Sequence, residues 1–193
     1  MKVIITHYNR PEFLRKQLNE LKDHCVTVID DGSTCDLSFV DDLIRFPHIG
    51  KKGFWLIWNK ALQVAKYSHE EVIMFAPDDF INFDLQAIEK LDLDNKVYNI
   101  INDGRKSCWG ENNFVDCGFI ASKKSIMKIN VNKPPNNWFN QENKSSSVGY
   151  QLTKQFKSLG IEMITPTKSL AFHGNHESKM HPKERLKNPL ISI

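Results

Sequence analysis

Two apolar runs in this chain each stop on a pair of aspartates: Val26-Thr27-Val28-Ile29-Asp30-Asp31-Gly32-Ser33 and Val72-Ile73-Met74-Phe75-Ala76-Pro77-Asp78-Asp79. β-Branched and aromatic residues fill both runs and turn residues close them, which predicts two buried strands. In an open α/β sheet the carboxyl ends of parallel strands line the crevice where ligands sit. Four carboxylates gathered at one edge repel one another unless a cation or a hydrogen-bonding ligand shares the site. A nucleotide held through a divalent metal meets that need.

Strand and helix signals alternate around these runs. Lys2 to Thr6 reads as a strand, and Pro11 suits the first turn of a helix with Leu14, Leu18 and Leu21 on one face. Cys25 to Ile29 is a second strand, Leu37 to Phe46 a short helix stopped by Pro47. After Gly53 comes an amphipathic helix with Phe54, Ile57, Trp58, Ala61, Leu62 and Ala65 on its buried side. Glu71 to Ala76 is a third strand, Asp84 to Leu91 a helix, and Val97 to Ile101 a fourth strand. Strands separated by helices imply βαβ units and a mostly parallel sheet.

The second half is less regular. Asp103 to Asn113 and Asn130 to Ser147 read as polar loops, and loops of that length inside a compact domain are usually functional or disordered. Between and after them come a strand from Phe114 to Ser122, a helix from about Val148 to Leu159 capped by Gly160, and a strand from Ile161 to Thr165.

At 193 residues, with 40% hydrophobic and 25% charged residues, the chain fits one soluble domain with a sizeable core. Its net charge of +3 does not announce a nucleic-acid binder. From Lys168 to Ile193, however, five Lys/Arg face two Glu, so that stretch is as positive as the whole chain. It is either a solvated surface or a phosphate-contacting patch. The four cysteines (25, 35, 108 and 117) match no metal or redox spacing, and Cys25 and Cys117 read as packed thiols. There is no secretory signal and no apolar run of membrane-spanning length, so the default compartment is the cytoplasm, a host's if the source is viral.

Three motifs carry a resemblance: Ile4-Ile5-Thr6-His7-Tyr8-Asn9-Arg10-Pro11, Asp30-Asp31-Gly32-Ser33 and Pro77-Asp78-Asp79. In order and spacing they resemble the GT-A fold glycosyltransferases of the family-2-like group over about the first 125 residues. The resemblance implies an α/β, GT-A (nucleotide-diphospho-sugar transferase) fold, a mostly parallel sheet flanked by helices. It implies one such domain over 1–193, with a nucleotide-sugar-binding half to about residue 100 and an acceptor-binding half with the basic tail beyond it.

By the same resemblance, Thr6 and Tyr8 contact the nucleobase, and Asp30 and Asp31 read base and ribose. A carboxylate suits that task because it accepts from a uracil imide N–H. The plainer reading is that Asp30 and Asp31 open a turn with Gly32, and both can hold at once. Pro77-Asp78-Asp79 resembles the family's Asp-x-Asp element with its first Asp replaced. Asp79 is then the ligand of a Mn²⁺ or Mg²⁺ that bridges the donor diphosphate, with Asp78 on the ribose or a metal-bound water. A helix cap or turn is the alternative. Lys51 and Lys52 stand where the family places a basic residue near base or phosphates, and are otherwise a solvated pair. Asn59 reads as a loop-holding residue. In the cluster Phe172-His173-Gly174-Asn175-His176, His173 and then His176 are candidates to complete the metal's ligands, an imidazole favouring Mn²⁺. Lys179 is placed to meet the diphosphate.

The general base of inverting members is not evident, since Ser145-Ser146-Ser147 stands where the family has an acidic pair. Asp116 and Glu142 are the candidates; without either, the reaction is a retaining one. Trp109 and Trp138 lie in the polar loops, where an aromatic face can stack on an acceptor; burial over the core is the alternative for Trp109. The expected activity is metal-dependent transfer of a hexose or pentose from a nucleotide sugar, a UDP-sugar first, to an acceptor hydroxyl. The acceptor is either a glycan or a hydroxymethylated DNA base, as for bacteriophage-type enzymes. Two rivals stand beside it: a nucleotidyltransferase of the same fold, against which the absence of a glycine-rich basic loop after the first strand counts, and a non-catalytic module binding a nucleotide sugar or nucleic acid. The sequence leaves donor sugar, stereochemistry and oligomeric state open.

Overall fold

The computed structural model describes residues 1–102, 114–115, 118–138 and 146–174. Its elements run β1 (Lys2–His7), α1 (Pro11–Glu20), β2 (Cys25–Asp30), β3 (Leu43–Arg45), α2 (Gly50–Tyr67), β4 (Val72–Pro77), β5 (Phe80–Ile81) and α3 (Leu85–Glu89). They continue with β6 (Lys96–Asn99), β7 (Phe119–Ser122), α4 (Lys123–Ile126), α5 (Val148–Ser158), β8 (Glu162–Ile164) and β9 (Phe172–His173).

The main sheet has the order β3-β2-β1-β4-β7-β6-β8, and β5 pairs with β9 in a second small sheet. β1 is parallel to both β2 and β4, β2 to β3, and β6 to β8. The sheet is therefore mostly parallel, as expected. One departure is that β6 does not lie beside β4: β7 stands between them, antiparallel to both.

Alternation along the strands explains why helices cover both faces. Val3 and Ile5 join one buried cluster with Leu14 and Leu21 of the α1 region and Ile88 of α3. Ile4, between them, joins the other with Trp58 of α2, Ile126 of α4 and Phe156 of α5. The period of two makes a single strand feed both cores. The second cluster is aromatic at its centre. Phe75 lies 5.0 Å from Trp58 and 4.8 Å from Phe119, and Phe156 meets Phe119 edge-on at 5.8 Å. Each such ring stabilises the fold by about 1.5–3 kcal/mol through burial.

Two expectations fail here. Residues 37–46 form no helix. Asp36 instead accepts from the Ser38 amide at 2.9 Å and folds a turn. The chain then extends along β2, with Val28 N donating to Asp42 O and Phe46 N to Asp30 O. Backbone pairing to β2 outweighs the helical spacing of Leu37, Val40 and Ile44. Cys25 is not packed but exposed. At the start of β2 it is Lys2, opposite it in register, that is buried, its ammonium on Thr27 Oγ1 at 2.5 Å and on Cys25 Sγ at 3.4 Å. Cys117 lies outside the described residues. α2 also begins earlier than expected, so Lys51, Lys52 and Gly53 belong to its first turn.

Candidate functional site at the strand ends

The strand order reverses beside β1. From β1 the chain moves outward to β2 and β3, then returns through α2 to place β4 on β1's other side. α1 and α2 pack on opposite faces of the sheet, so the carboxyl ends of β1 and β4 form the switch point at which α/β proteins bind ligands. Both aspartate pairs flank that point. Asp31 N donates to His7 O at 2.9 Å, and Asp78 N to Thr6 O at 3.0 Å. With neighbouring strands about 4.8 Å apart, the pairs follow strands separated only by β1.

The first pair is held chiefly by its own loop. Asp30 is fully buried; it accepts from Ser33 N at 3.0 Å and from Arg45 Nε at 3.0 Å, and also bonds Ser33 Oγ. A ligand reaches this carboxylate only by displacing those partners. Asp31 caps a helix: its Oδ1 accepts from Ile49 N at 2.8 Å and its Oδ2 from Gly50 N at 3.1 Å. Ile49 offers no capping side chain of its own, so a residue from the β2 loop satisfies the first amides of α2. Gly32 makes this possible. Its φ is +69°, and a Cβ there would stand 2.2 Å from His48 N. The turn reading of the Asp-Asp-Gly motif is therefore realised. A carboxylate has about four lone-pair sites, so Asp31 retains capacity toward a further donor.

The second pair is held largely by side chains. Arg10 Nη1 lies 3.0 Å from Asp78 Oδ1 and 2.7 Å from Asp79 Oδ2, with all three residues buried. Asp78 Oδ2 also accepts from Tyr8 N at 2.9 Å, and His7 Nδ1 lies 2.9 Å from it. His173 Nε2 lies 3.4 Å from Asp79 Oδ2. That approach is built by the β5–β9 pairing, which sets Phe80 opposite His173 and packs their rings at 5.6 Å. Gly118 leaves room for it, since a Cβ there would meet the Phe80 ring at 2.3 Å.

The repulsion among four carboxylates is thus relieved inside the protein, by Arg10, Arg45 and two helix amides. Arg10, His7, Arg45 and His48 were not singled out in the sequence. The available signal was Arg10 itself, a cation at the end of β1 between strands that end in acids.

Of the other expected residues, Thr6 is half-buried and contributes its carbonyl. Tyr8 stacks on His48, with ring centroids 4.4 Å apart and planes at 16°. His48 Nδ1 lies 3.1 Å from Asp31 O, so the two rings stand beside Asp31. Lys51 is half-buried and Lys52 exposed, both at the α2 N-terminus. Asn59 donates to Val131 O at 3.1 Å and holds the segment after α4. Trp138 is half-buried against Tyr150 of α5, with centroids 5.2 Å apart. Asp116, Glu142, Trp109, His176 and Lys179 lie outside the described residues. Among the described residues no three His, Cys, Asp or Glu form a cluster able to hold a metal ion, and no helix is long and apolar enough to cross a membrane.

No protein-family profile matches this sequence, and no curated protein matches it. Among solved structures, the chain is similar to glucosyl-3-phosphoglycerate synthase from Mycobacterium tuberculosis, solved in complex with Mn²⁺ and uridine-diphosphate-glucose. The TM-score is 0.58 at 14% identity, over 91% of this chain and 71% of that one. The fold is GT-A-like. The inositol-1-phosphate CTP transferase from T. maritima aligns over 92% of this chain and 89% of its own, at 11% identity. Its TM-score of 0.49 is too low to bear on the choice of activity.

Proposed function

We propose that this chain is a glycosyltransferase that binds a nucleotide-sugar donor, a UDP-sugar first, across the ends of β2, β1 and β4. One observation carries the reading: the two aspartate pairs flank β1 at the switch point of a GT-A-like sheet, with His173 brought beside Asp79. The Tyr8–His48 stack offers the base a flat face, and Asp31 beside it offers an acceptor to an imide N–H. Lys51 and Lys52 supply positive charge on the diphosphate side, with Lys179 as a further contact.

Asp79 and His173 are the residues that would hold a Mn²⁺ or Mg²⁺, with His176 as a further candidate; an oxygen and an imidazole nitrogen suit Mn²⁺ in particular. Such an ion would stabilise charge on the departing nucleotide. Arg10 neutralises Asp79 through Oδ2, the oxygen that His173 also approaches. The acceptor hydroxyl approaches past Trp138 and Trp109, with Asp116 or Glu142 as its base. Glycan and hydroxymethylated-DNA acceptors remain the two classes to compare.

A second reading has support in the occupied carboxylates: Asp30, Asp31 and Asp78 all have structural partners, as in a module that binds without turnover. Hydrolysis of UDP-sugars with Mn²⁺, lost in Asp79→Ala, supports the enzyme. A rise in melting temperature with a nucleotide sugar but no turnover across donors and acceptors supports the binder. Neither response to any nucleotide sugar overturns both.

A further inference from the structure

We infer that Arg10 is an exchangeable counter-ion of this site: a divalent cation and the Arg10 guanidinium compete for Asp79, and Asp78 is where Arg10 stays when Asp79 is given up. The inference rests on the reading of Asp79 as a cation ligand, but not on the identity of the donor.

The geometry supplies both halves of the exchange. One nitrogen, Arg10 Nη1, serves two carboxylates, Asp78 Oδ1 at 3.0 Å and Asp79 Oδ2 at 2.7 Å. His173 Nε2 approaches the same Asp79 oxygen, at 3.4 Å. Carboxylate oxygens bind hard divalent ions at about 2.0–2.6 Å. An ion on Oδ2 would therefore lie within a few ångströms of a guanidinium bonded to that oxygen, in a buried setting where like charges are poorly screened. The two cations do not share Asp79 favourably. Arg10 has somewhere to remain, because its bond to Asp78 does not depend on Asp79.

The movement falls on the side chain alone. Arg10 is the residue before Pro11, at the N-cap position of α1, and its side chain makes no capping bond to that helix. Asn9, at φ 52°, ties the same loop down: its amide donates to Ser33 Oγ at 2.8 Å, and its Oδ1 accepts from Thr34 N at 2.8 Å.

The test uses Mn²⁺ alone, titrated while free ion is followed by electron paramagnetic resonance. Arg10→Gln is expected to bind Mn²⁺ at least tenfold tighter than wild type. Arg10→Lys, which keeps the charge, stays near wild type, and Asp79→Asn loses the site. A folded Arg10→Gln protein that binds Mn²⁺ no tighter than wild type overturns the inference. Should that variant fail to fold, the Arg10 Nε–Hε resonance of wild type decides. A shift on adding Mg²⁺ that is absent in Asp79→Asn supports exchange, and no shift overturns it. No nucleotide enters either experiment, so failure to bind nucleotide sugars is read separately.

Discussion

The aspartate pair after β2 and the pair after β4 occupy matching places on either side of β1, yet they answer to different partners. Asp30 and Asp31 are fastened to the backbone around them by Ser33 N, Ile49 N and Gly50 N, with the Ser33 hydroxyl, Arg45 and His48 added. Asp78 and Asp79 are bonded mainly by side chains, Arg10, His7 and His173, with Tyr8 N as a backbone donor to Asp78. Backbone amides at the start of an 18-residue helix cannot leave without moving the helix. Side-chain cations can turn. One sequence pattern thus serves as architecture on one side of β1 and as adjustable charge on the other.

The contrast can be broken most severely at Gly32. Gly32→Ala forces a side chain into left-handed backbone and against the 47–48 segment, and is expected to cost about 3 kcal/mol or more in urea unfolding. A cost below about 1 kcal/mol would show that the loop yields and that the Asp31 cap is not rigid. The next largest effect is a crossed pair of outcomes. Asp31→Ala strips an acceptor from two helix amides and should lose about 1–3 kcal/mol. Asp79→Ala removes one of two adjacent buried acids and leaves Arg10 on Asp78, so it should lose less than Asp31→Ala, while Mn²⁺ binding and sugar release fall at least tenfold. Equal stability losses in the two variants would erase the distinction drawn here.

The smallest effect lies far from the site and sets the baseline. Asp92 accepts a hydrogen bond from Lys96, which holds its carboxyl below the ordinary value of 3.8. A depressed folded value means that the stabilisation is present at neutral pH and is lost as pH falls through that lowered value. Asp92→Asn should therefore melt slightly below wild type at pH 7, with the gap closing on acidification. Because the pair is exposed, salt should also shrink the gap.

Much of this organisation was legible before any coordinates. β1, β2, β4 and α2 follow from apolar runs and helical spacing because those segments bury what their patterns say they bury. Both aspartate pairs were visible as the polar ends of such runs. Residues 37–46 were not, because Leu37, Val40 and Ile44 fit a helical period while their backbone groups were claimed by β2. The insertion of β7 was hidden for a related reason: a strand's apolar character says nothing of its direction or neighbours. The role of Arg10 was not legible, since burial of a lone arginine depends on acids that arrive from residues 78 and 79. The partners of Asp31 were equally out of reach, lying 18 and 19 positions away at the start of a helix.

The pairing of Phe172–His173 with Phe80–Ile81 joins β9 to the strand that directly follows the second aspartate pair. During synthesis β1, β2 and β4 can form well before residue 173 leaves the ribosome, but His173 cannot reach Asp79 until then. A nascent chain stalled after β6 would carry both acid pairs and the Arg10 clasp while still lacking its histidine, so His173 joins Asp79 only after the sheet's first strands are in place.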